Sequence, residues 1–256
     1  MTLRVDASAV SGVMRRNLIV FRRTWRSNTV ISVVDPVVSL LAFGFGFGAL
    51  VATVNGIDYV QFIGTGIVAQ TVLFSTVFPG MFETYFKRDY QHTYDGMLAA
   101  PVDAIDVVTA EALWLSLKAS VYALAPLCVA MAFGLPPAAG MFLVPLISLL
   151  TGFGFACVGI FIAAMARSFA AFDYVISLLV VPLFLFAGTF FPLGGLPHWV
   201  ATAAHLNPLF HTVELVRHAA FGFHPLTDLG HAGYLALFAG VWWLLASWRM
   251  RARLVA

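Results

Sequence analysis

FKRDYQHTYDGMLAAPVDAIDVVTAE, residues 86–111, is the longest polar interval in a very apolar chain. It gathers Lys87, Arg88, Asp89, Asp95, Asp103, Asp106 and Glu111 between long apolar runs. At its centre Tyr94-Asp95-Gly96-Met97-Leu98-Ala99-Ala100-Pro101 predicts a short helix. It stops before Pro101, because the residue ahead of a proline is pushed out of the α region. Met97 and Leu98 beside Tyr94 and Asp95 give that helix something to bury. The flanking runs belong in lipid, so its partner must come from the water side. The segment reads either as a small amphipathic helix that meets a soluble protein or as a plain polar loop.

The runs around it set the class. Of 256 residues, 61% are hydrophobic and 10% charged, with 24 Phe, and the mean hydropathy is +0.92. Soluble domains carry about 25% charged residues. The apolar runs far exceed the ~10 residues of a barrel strand, so the prediction is an all-α integral membrane protein. Six transmembrane helices are expected near 30–53, 59–82, 105–133, 141–165, 173–193 and 229–248, each close to the ~20 residues a bilayer needs. The third is too long for the bilayer alone, which puts its first turns, around Asp106 and Glu111, in the cytoplasm. The connections near Asn55 and Gly134 are short and nearly uncharged.

Ahead of the first span, residues 8–26 have helical periodicity without a long apolar run. Val10, Met14, Leu18, Phe21 and Trp25 share one face. Arg15, Arg16, Arg22, Arg23 and Arg26 gather on the other, interrupted by Ile19. A basic amphipathic helix of this kind lies in the headgroup plane or packs on a partner. It cannot span, since each arginine costs ~2.5 kcal/mol or more at the bilayer centre. No cleavable leader is expected ahead of the apolar run that begins near Val30. The chain divides into an N-terminal cytoplasmic segment, 1–28, and a single transmembrane domain, 29–256.

Charge gives the orientation. With six spans both ends share a side, and that side collects Arg4, the five helix arginines, Lys87, Arg88, Arg167, Arg249, Arg251 and Arg253. The other side holds only Arg217, and Lys118 lies within the third span. Such a bias predicts cytoplasmic termini and a cytoplasmic 86–103 loop. The long connection 194–228 is then external. Its apolar segments are too short to span and predict two short helices, 197–206 and 208–222, that dip into the outer leaflet and break at Asn207-Pro208.

Several chemistries are not encoded. There is no G-x-x-x-x-G-K-[ST], so the chain does not itself cradle ATP. Gly44, Gly46, Gly48, Gly64, Gly66, Gly152 and Gly154 lie in apolar runs and suit close helix packing. There is no H-E-x-x-H and no Ser/His/Asp set on a plausible frame. Cys128 and Cys157 sit in apolar runs, at depths that argue against a disulfide.

A few side chains stand out within the spans. Glu111, Trp114, Leu115 and Lys118 share one face of the third. Seven residues rise ~10.5 Å, so Glu111 and Lys118 meet only by reaching towards each other. Lys118 is either functional at membrane depth or neutralised by snorkelling or by Glu111. Phe43 and Phe47 lie four apart on the first span, beside Gly44 and Gly48. Phe184, Ala187, Gly188 and Phe191 recur at threes and fours on the fifth. These stripes line a transport pathway or pack within the subunit. Asp35-Pro36 marks the start of the first span. In the external segment His211, Glu214 and His218 share one side with Arg217 adjacent. Arg217 opposes a cation there, so no metal is expected, and the group holds the hairpin by polar contacts.

Three ordered stretches carry a family resemblance. One runs from Tyr59-Val60-Gln61-Phe62 through Gly64-Thr65-Gly66. The second is Tyr94 to Pro101 with Glu111-Ala112-Leu113-Trp114 behind it. The third is Ala187-Gly188-Thr189-Phe190-Phe191-Pro192, Leu196-Pro197-His198-Trp199 and Asn207-Pro208-Leu209-Phe210-His211-Thr212-Val213-Glu214-Leu215-Val216-Arg217. Together they span nearly the whole chain. The chain resembles the permease subunit of ABC type-2 transporters, in the NodJ-like branch of nodulation-factor and drug exporters. Ala187 departs from the Ser common in that branch.

The resemblance implies two six-span permease subunits docked on two copies of a separate ABC ATP-binding subunit. ATP and Mg belong to that partner and no cofactor to this chain. It implies that the region about 91–101, with Tyr94, Asp95, Gly96, Met97, Leu98, Ala99, Ala100 and Pro101, is the coupling helix in a cleft of the ATPase. It implies an interface helix carrying Arg15, Arg16, Phe21, Arg22, Arg23 and Trp25, and a re-entrant external hairpin with His211, Glu214 and Arg217. It places spans one, two and five near a dimer axis, with Phe43, Phe47, Phe184, Phe191, Glu111 and Lys118 as candidate pathway residues. The expected function is export of an amphiphile across a bacterial inner membrane, with a second copy of the chain and membrane lipids as partners and no nucleic acid. An ion-coupled secondary transporter would want carboxylates at mid-membrane, and none is clear. A membrane enzyme would want a convergent reactive set, which is absent. A scaffold without transport is the third alternative.

Overall fold

A computed structural model describes residues 5–51, 53–54, 56–195 and 197–254. Arg4, Asn55 and Leu196, used above, lie outside the described residues. The described chain is almost wholly helical. The first helix, α1 (Ala7–Gly48), starts at Asp6, whose side chain accepts from the Ser8 backbone N–H. The amphipathic segment and the first apolar run are therefore one helix, bent by 45° between Ser27 and Ser32. A small hairpin, β1 (Thr53–Val54) with β2 (Ile57–Asp58), leads to α2 (Tyr59–Asp89). Asp58 caps α2 by accepting from Val60 N.

After α2 come α3 (Thr93–Leu98), α4 (Ala104–Tyr122) and α5 (Leu124–Ala132), which continues α4 past Ala123. A 3-10 turn, Ala139–Leu143, opens α6 (Val144–Met165). Then α7 (Ala170–Val175), a π turn Ile176–Val180 and α8 (Val181–Leu185) form one short apolar rod. Two further helices, α9 (His198–Ala204) and α10 (Pro208–Phe221), precede α11 (Pro225–Leu254).

Four helices are long and apolar enough to cross a membrane: Tyr59–Asp89, Ala104–Ala132, Ala139–Met165 and Pro225–Leu254. Bent α1 makes a fifth if taken as one span. The expected fifth span, 173–193, is shorter than the sequence suggested. The rod Ala170–Leu185 rises about 24 Å, short of the ~30 Å hydrocarbon core. Its apolar composition continues to Leu193, but the backbone does not. The helix ends at Leu185; Gly188, three residues on, takes a positive φ of 75° that keeps the chain from resuming it, and Pro192 follows.

Helices α2 and α6 cross at the centre, and α1, α4, α10 and α11 pack around them. A Cβ on Gly159 would lie 2.6 Å from Val77 O and 2.9 Å from Gly80 Cα, so the two backbones touch. Ile63, Ile67, Ala130, Leu135 and Val216 fill the core towards the β-hairpin end. Leu73, Met81, Phe172, Leu209 and Val213 fill the middle. Tyr94, Val107, Leu115, Ile160 and Met250 fill the other end. At that end Arg88 donates from Nη1 to Ala163 O (2.7 Å) and from Nη2 to Ala166 O (3.2 Å), while Arg253 Nε donates to Ala164 O (3.2 Å). Two arginines thus satisfy last-turn carbonyls of α6, which carry the negative end of its dipole. Cys128 is exposed and Cys157 buried, both free.

Substituting Gly159 by Ala forces this crossing apart. Overpacking of this kind costs about 1–3 kcal/mol, so the thermal midpoint of the detergent-solubilised protein should fall by several degrees. Gly240→Ala, where an added Cβ meets nothing within 4 Å, should leave it unchanged.

Candidate functional site

Four groups of expected site residues can be located. The first is the segment 91–101. His92 adopts a left-handed backbone (φ 49°) that reverses the chain after α2, and its Nδ1 lies 3.0 Å from Asp95 Oδ2. The helix that follows is only Thr93–Leu98. Tyr94 turns inward, 1% exposed, into the core with Val107, Val108 and Ala112. It is therefore consumed within this chain and is unavailable to a partner, a correction to the reading that had it buried at an ATPase. Burial and the neighbouring Glu111 carboxylate hold its phenol well above the usual tyrosine value. Asp95, Gly96, Ala99, Ala100 and Pro101 face outward, with Met97 and Leu98 half-buried at their edge. Anchored by Tyr94, this is a fixed knuckle rather than a loose loop.

A second group is the charged cluster beneath the knuckle. Glu111, 2% exposed, accepts from Lys87 Nζ at 2.9 Å. Lys87 also lies 3.7 Å from Glu83, and Glu83 is 3.9 Å from Lys118. Glu111 and Lys118 therefore do not form a direct pair; each meets a charge on α2 instead. The partner overlooked in the sequence is Glu83, although Glu83 and Lys87 stand at the i,i+4 spacing that pairs on a helix. Next to Glu111 on the chain, Asp106 accepts Asp103 N (3.0 Å) and, across the bundle, Asp6 N (2.8 Å). One buried carboxylate thus caps α4 and fastens the start of α1.

On α1 the buried side carries Ala9, Val13 and Asn17, with Phe21 half-buried against Trp114 (5.6 Å, edge to face). Leu18 and Trp25 are exposed on the surface of the chain, as are Arg15, Arg22 and Arg23. Arg16 is partly covered. The helix packs through a stripe one position away from the purely apolar one, and within it Asn17 accepts from Arg16 Nη1 (3.2 Å).

The third group is aromatic. Phe43, Phe47, Phe184 and Phe191 all line one cavity of about 610 Å³, together with Tyr59 and Pro192. Phe43 stacks on Phe47 (5.9 Å). Phe190 bridges the two stripes, 5.0 Å from Phe43 and 5.0 Å from Phe184. Phe190 was not singled out, though it stands beside Phe191 in the sequence. Phe47, Leu185 and Phe191 remain exposed on the outer side. A smaller hollow of about 350 Å³ with Asp35, Pro36 and Phe74 adjoins along α2, and Gln70 borders both.

The fourth is α10, which is mostly buried in the bundle. Its cap, Asn207, accepts from Leu209 N (2.9 Å) and donates to Leu183 O (2.6 Å). Arg217 donates to Gly188 O (2.6 Å) and to Glu214 (3.3 Å), and its guanidinium lies 3.9 Å from the Phe62 ring centroid. His211 bridges His205 O (2.9 Å) and His231 (2.6 Å), and His218 meets Asp228. No group of three or more His, Cys, Asp or Glu converges as a metal site among the described residues. These contacts tie α10 to the chain reversal at Gly188 and to α11.

A bundle with four helices long and apolar enough to cross a membrane, an exposed knuckle at one end and an apolar lateral cavity defines a helical membrane protein. The family described as "ABC-2 type transporter" matches residues 9–221, and the chain belongs to that family. It is 29% identical to nodulation protein J of Rhizobium leguminosarum bv. trifolii, over 95% of this chain and 93% of that one. It is 30% identical to nodulation protein J of Sinorhizobium fredii, with the same coverage. It is 22% identical to the inner membrane transport permease YadH of Escherichia coli, over 93% of this chain and 92% of that one.

Because Glu111 is buried while the side chain of Glu83 is 43% exposed, the two carboxylates should differ in weight. Glu111→Ala leaves Lys87 short of its main partner and should cost roughly 1–3 kcal/mol. Glu83→Ala should cost less than about 1 kcal/mol. Thermal unfolding of the two variants in detergent compares them directly.

Proposed function

We propose that the chain is the membrane-spanning subunit of an ATP-driven exporter that moves an amphiphile outward. The observation that carries this reading is the aromatic cavity between α1, α2 and α8. Two stripes far apart in sequence converge there, and the pocket they make stays open to the side. Its apolar walls suit the hydrocarbon part of an amphiphile such as a lipid-linked, glycolipid, polyketide or drug-like molecule. A second copy of the chain set against this open side would turn the cavity into a shared pathway, with Phe43, Phe47, Phe184 and Phe191 from each copy facing it.

In this reading the chain makes six crossings, with bent α1 as the first and the rod Ala170–Leu185, extended by the turn after it, as the fifth. Both termini are cytoplasmic, on the side that holds Lys87, Arg88, Arg251 and Arg253. Residues 1–28 form the cytoplasmic interface segment and 29–256 the transmembrane domain, the division falling at the bend of α1. The α9–α10 pair is a hairpin dipping from the outer face. Two copies of a separate ATP-binding subunit, which hold ATP and Mg, dock on the 91–101 knuckle. Asp95, Gly96 and Ala99 to Pro101 are its contact surface, with Met97 and Leu98 at the rim. The family description and the name of the transport permease relative support transport as the class of activity.

Two experiments test the reading. In membranes that also contain the ATP-binding subunit, Met97→Asp with Leu98→Asp should abolish substrate-stimulated ATP hydrolysis and assembly with that subunit; survival of both would remove the coupling role. Phe47→Ala and Phe184→Ala should shift which amphiphiles are exported, or their half-saturating concentration, with basal ATP hydrolysis largely kept. Unchanged selectivity in both, at normal expression, would leave those aromatics as packing alone.

A further inference from the structure

The charged cluster encloses a second cavity, of about 190 Å³, between α1, α2 and α4 at the basic end of the bundle. It is about a third the size of the aromatic cavity. Its donors come from three helices. Asn17 on α1 is 4% exposed; its Oδ1 accepts from Arg16 Nη1 (3.2 Å), which fixes the amide so that Nδ2 is the remaining donor, and Nδ2 has no acceptor. Lys118 on α4 has a side chain only 11% exposed. The nearest carboxylate to its ammonium is Glu83, at the long distance of 3.9 Å, and the Trp114 ring lies 6.0 Å away. Lys87 on α2 is held by Glu111 and Glu83.

Arg16, Lys87 and Lys118 set against Glu83 and Glu111 leave one positive charge unbalanced. The other polar groups in the wall, Thr24 and Gln91, are neutral. A nearly buried ammonium whose nearest carboxylate is beyond hydrogen-bond reach, and a buried amide without an acceptor, are both costly unless something completes them. One singly charged oxyanion completes both. The rest of the wall is apolar; Val20 on α1 and Phe86 on α2 are exposed at the mouth, and Leu18 and Ile19 beside Val20 are exposed too. The mouth therefore opens onto an apolar surface in a membrane protein.

We propose that this cavity binds the phosphodiester head group of an anionic phospholipid, with Lys118 and Asn17 as its principal donors and Val20 and Phe86 against the start of the acyl chains. The site is separate from the aromatic cavity and does not depend on what the protein exports. It gives the basic N-terminal helix a specific lipid contact beyond general attraction to a negative surface.

The test uses full-length protein purified in a neutral detergent. Dioleoyl phosphatidylglycerol should raise the thermal midpoint saturably, and dioleoyl phosphatidylcholine should do so much less. Lys118→Gln should raise the half-saturating phosphatidylglycerol concentration about tenfold, the size of one charge-assisted bond, and Asn17→Leu should raise it several-fold. Arg251→Gln, which removes an exposed charge from the same end of the molecule, should leave it within about twofold, the range of one screened surface charge. If Lys118→Gln fails to fold, Lys118→Arg, which keeps the charge, against Asn17→Leu makes the same comparison. Equal stabilisation by the two lipids, or equal loss in Lys118→Gln and Arg251→Gln, would overturn the proposal. So would stabilisation by inorganic phosphate with none by phosphatidylglycerol, which would assign the cavity to a free ion.

Discussion

The approach of α2 and α6 at Gly80 and Gly159 is the constraint that the remaining packing answers to. Inside a bilayer there is no hydrophobic force between helices, so close backbone contact has to supply the attraction. Side chains at this crossing would hold the axes apart. With hydrogen alone on both residues, α6 comes near enough for its final carbonyls to meet Arg88 on α2 and Arg253 on α11. The crossing also sets the height of Glu83 and Lys87, because both lie within two turns of Gly80 on α2. The charged cluster and the knuckle after it inherit their positions from that contact.

At the basic end, polar groups have been converted into fixed geometry. Asp106 closes the start of α4 and at the same time holds Asp6, so the beginning of the chain is tied to the middle. Tyr94 is driven into the core between α4 and α6, and its burial leaves the small residues of the knuckle outermost. Gly96, Ala99 and Ala100 present backbone and little side chain, the surface that a cleft in another protein can approach closely. Tyr94 packs this knuckle against α4, and the Lys87–Glu111 pair ties α4 to α2.

The opposite character is found around Phe43, Phe47, Phe184 and Phe191. Elsewhere α2 is covered on nearly every side, yet beside α1 and α8 it borders an unfilled apolar hollow. The rod Ala170–Leu185 is short and carries a π turn and Pro182, both of which loosen the helical ladder. Arg217 holds the reversal at Gly188 that follows it. The wall of the cavity is thus built on the least regular helix of the bundle, with α10 as its fixed support.

Much of this was legible in the chain. Composition and run length determined a helical membrane protein. The ordered motifs around Tyr59, Tyr94 and Asn207 determined the family, and helical spacing found the aromatic pairs on two separate runs. Those features depend on local pattern, which the sequence carries in full. The tertiary structure decided what depends on distances between helices. Glu111 chose Lys87 over Lys118 because α2 lies closer than seven residues up its own helix. Tyr94 turned inward because the core beside Val107 had room for it. The helix at the N-terminus ran on into the first span through a 45° bend between Ser27 and Ser32. The fifth apolar run left the helix at Leu185 and turned at Gly188, whatever the hydropathy of the residues beyond.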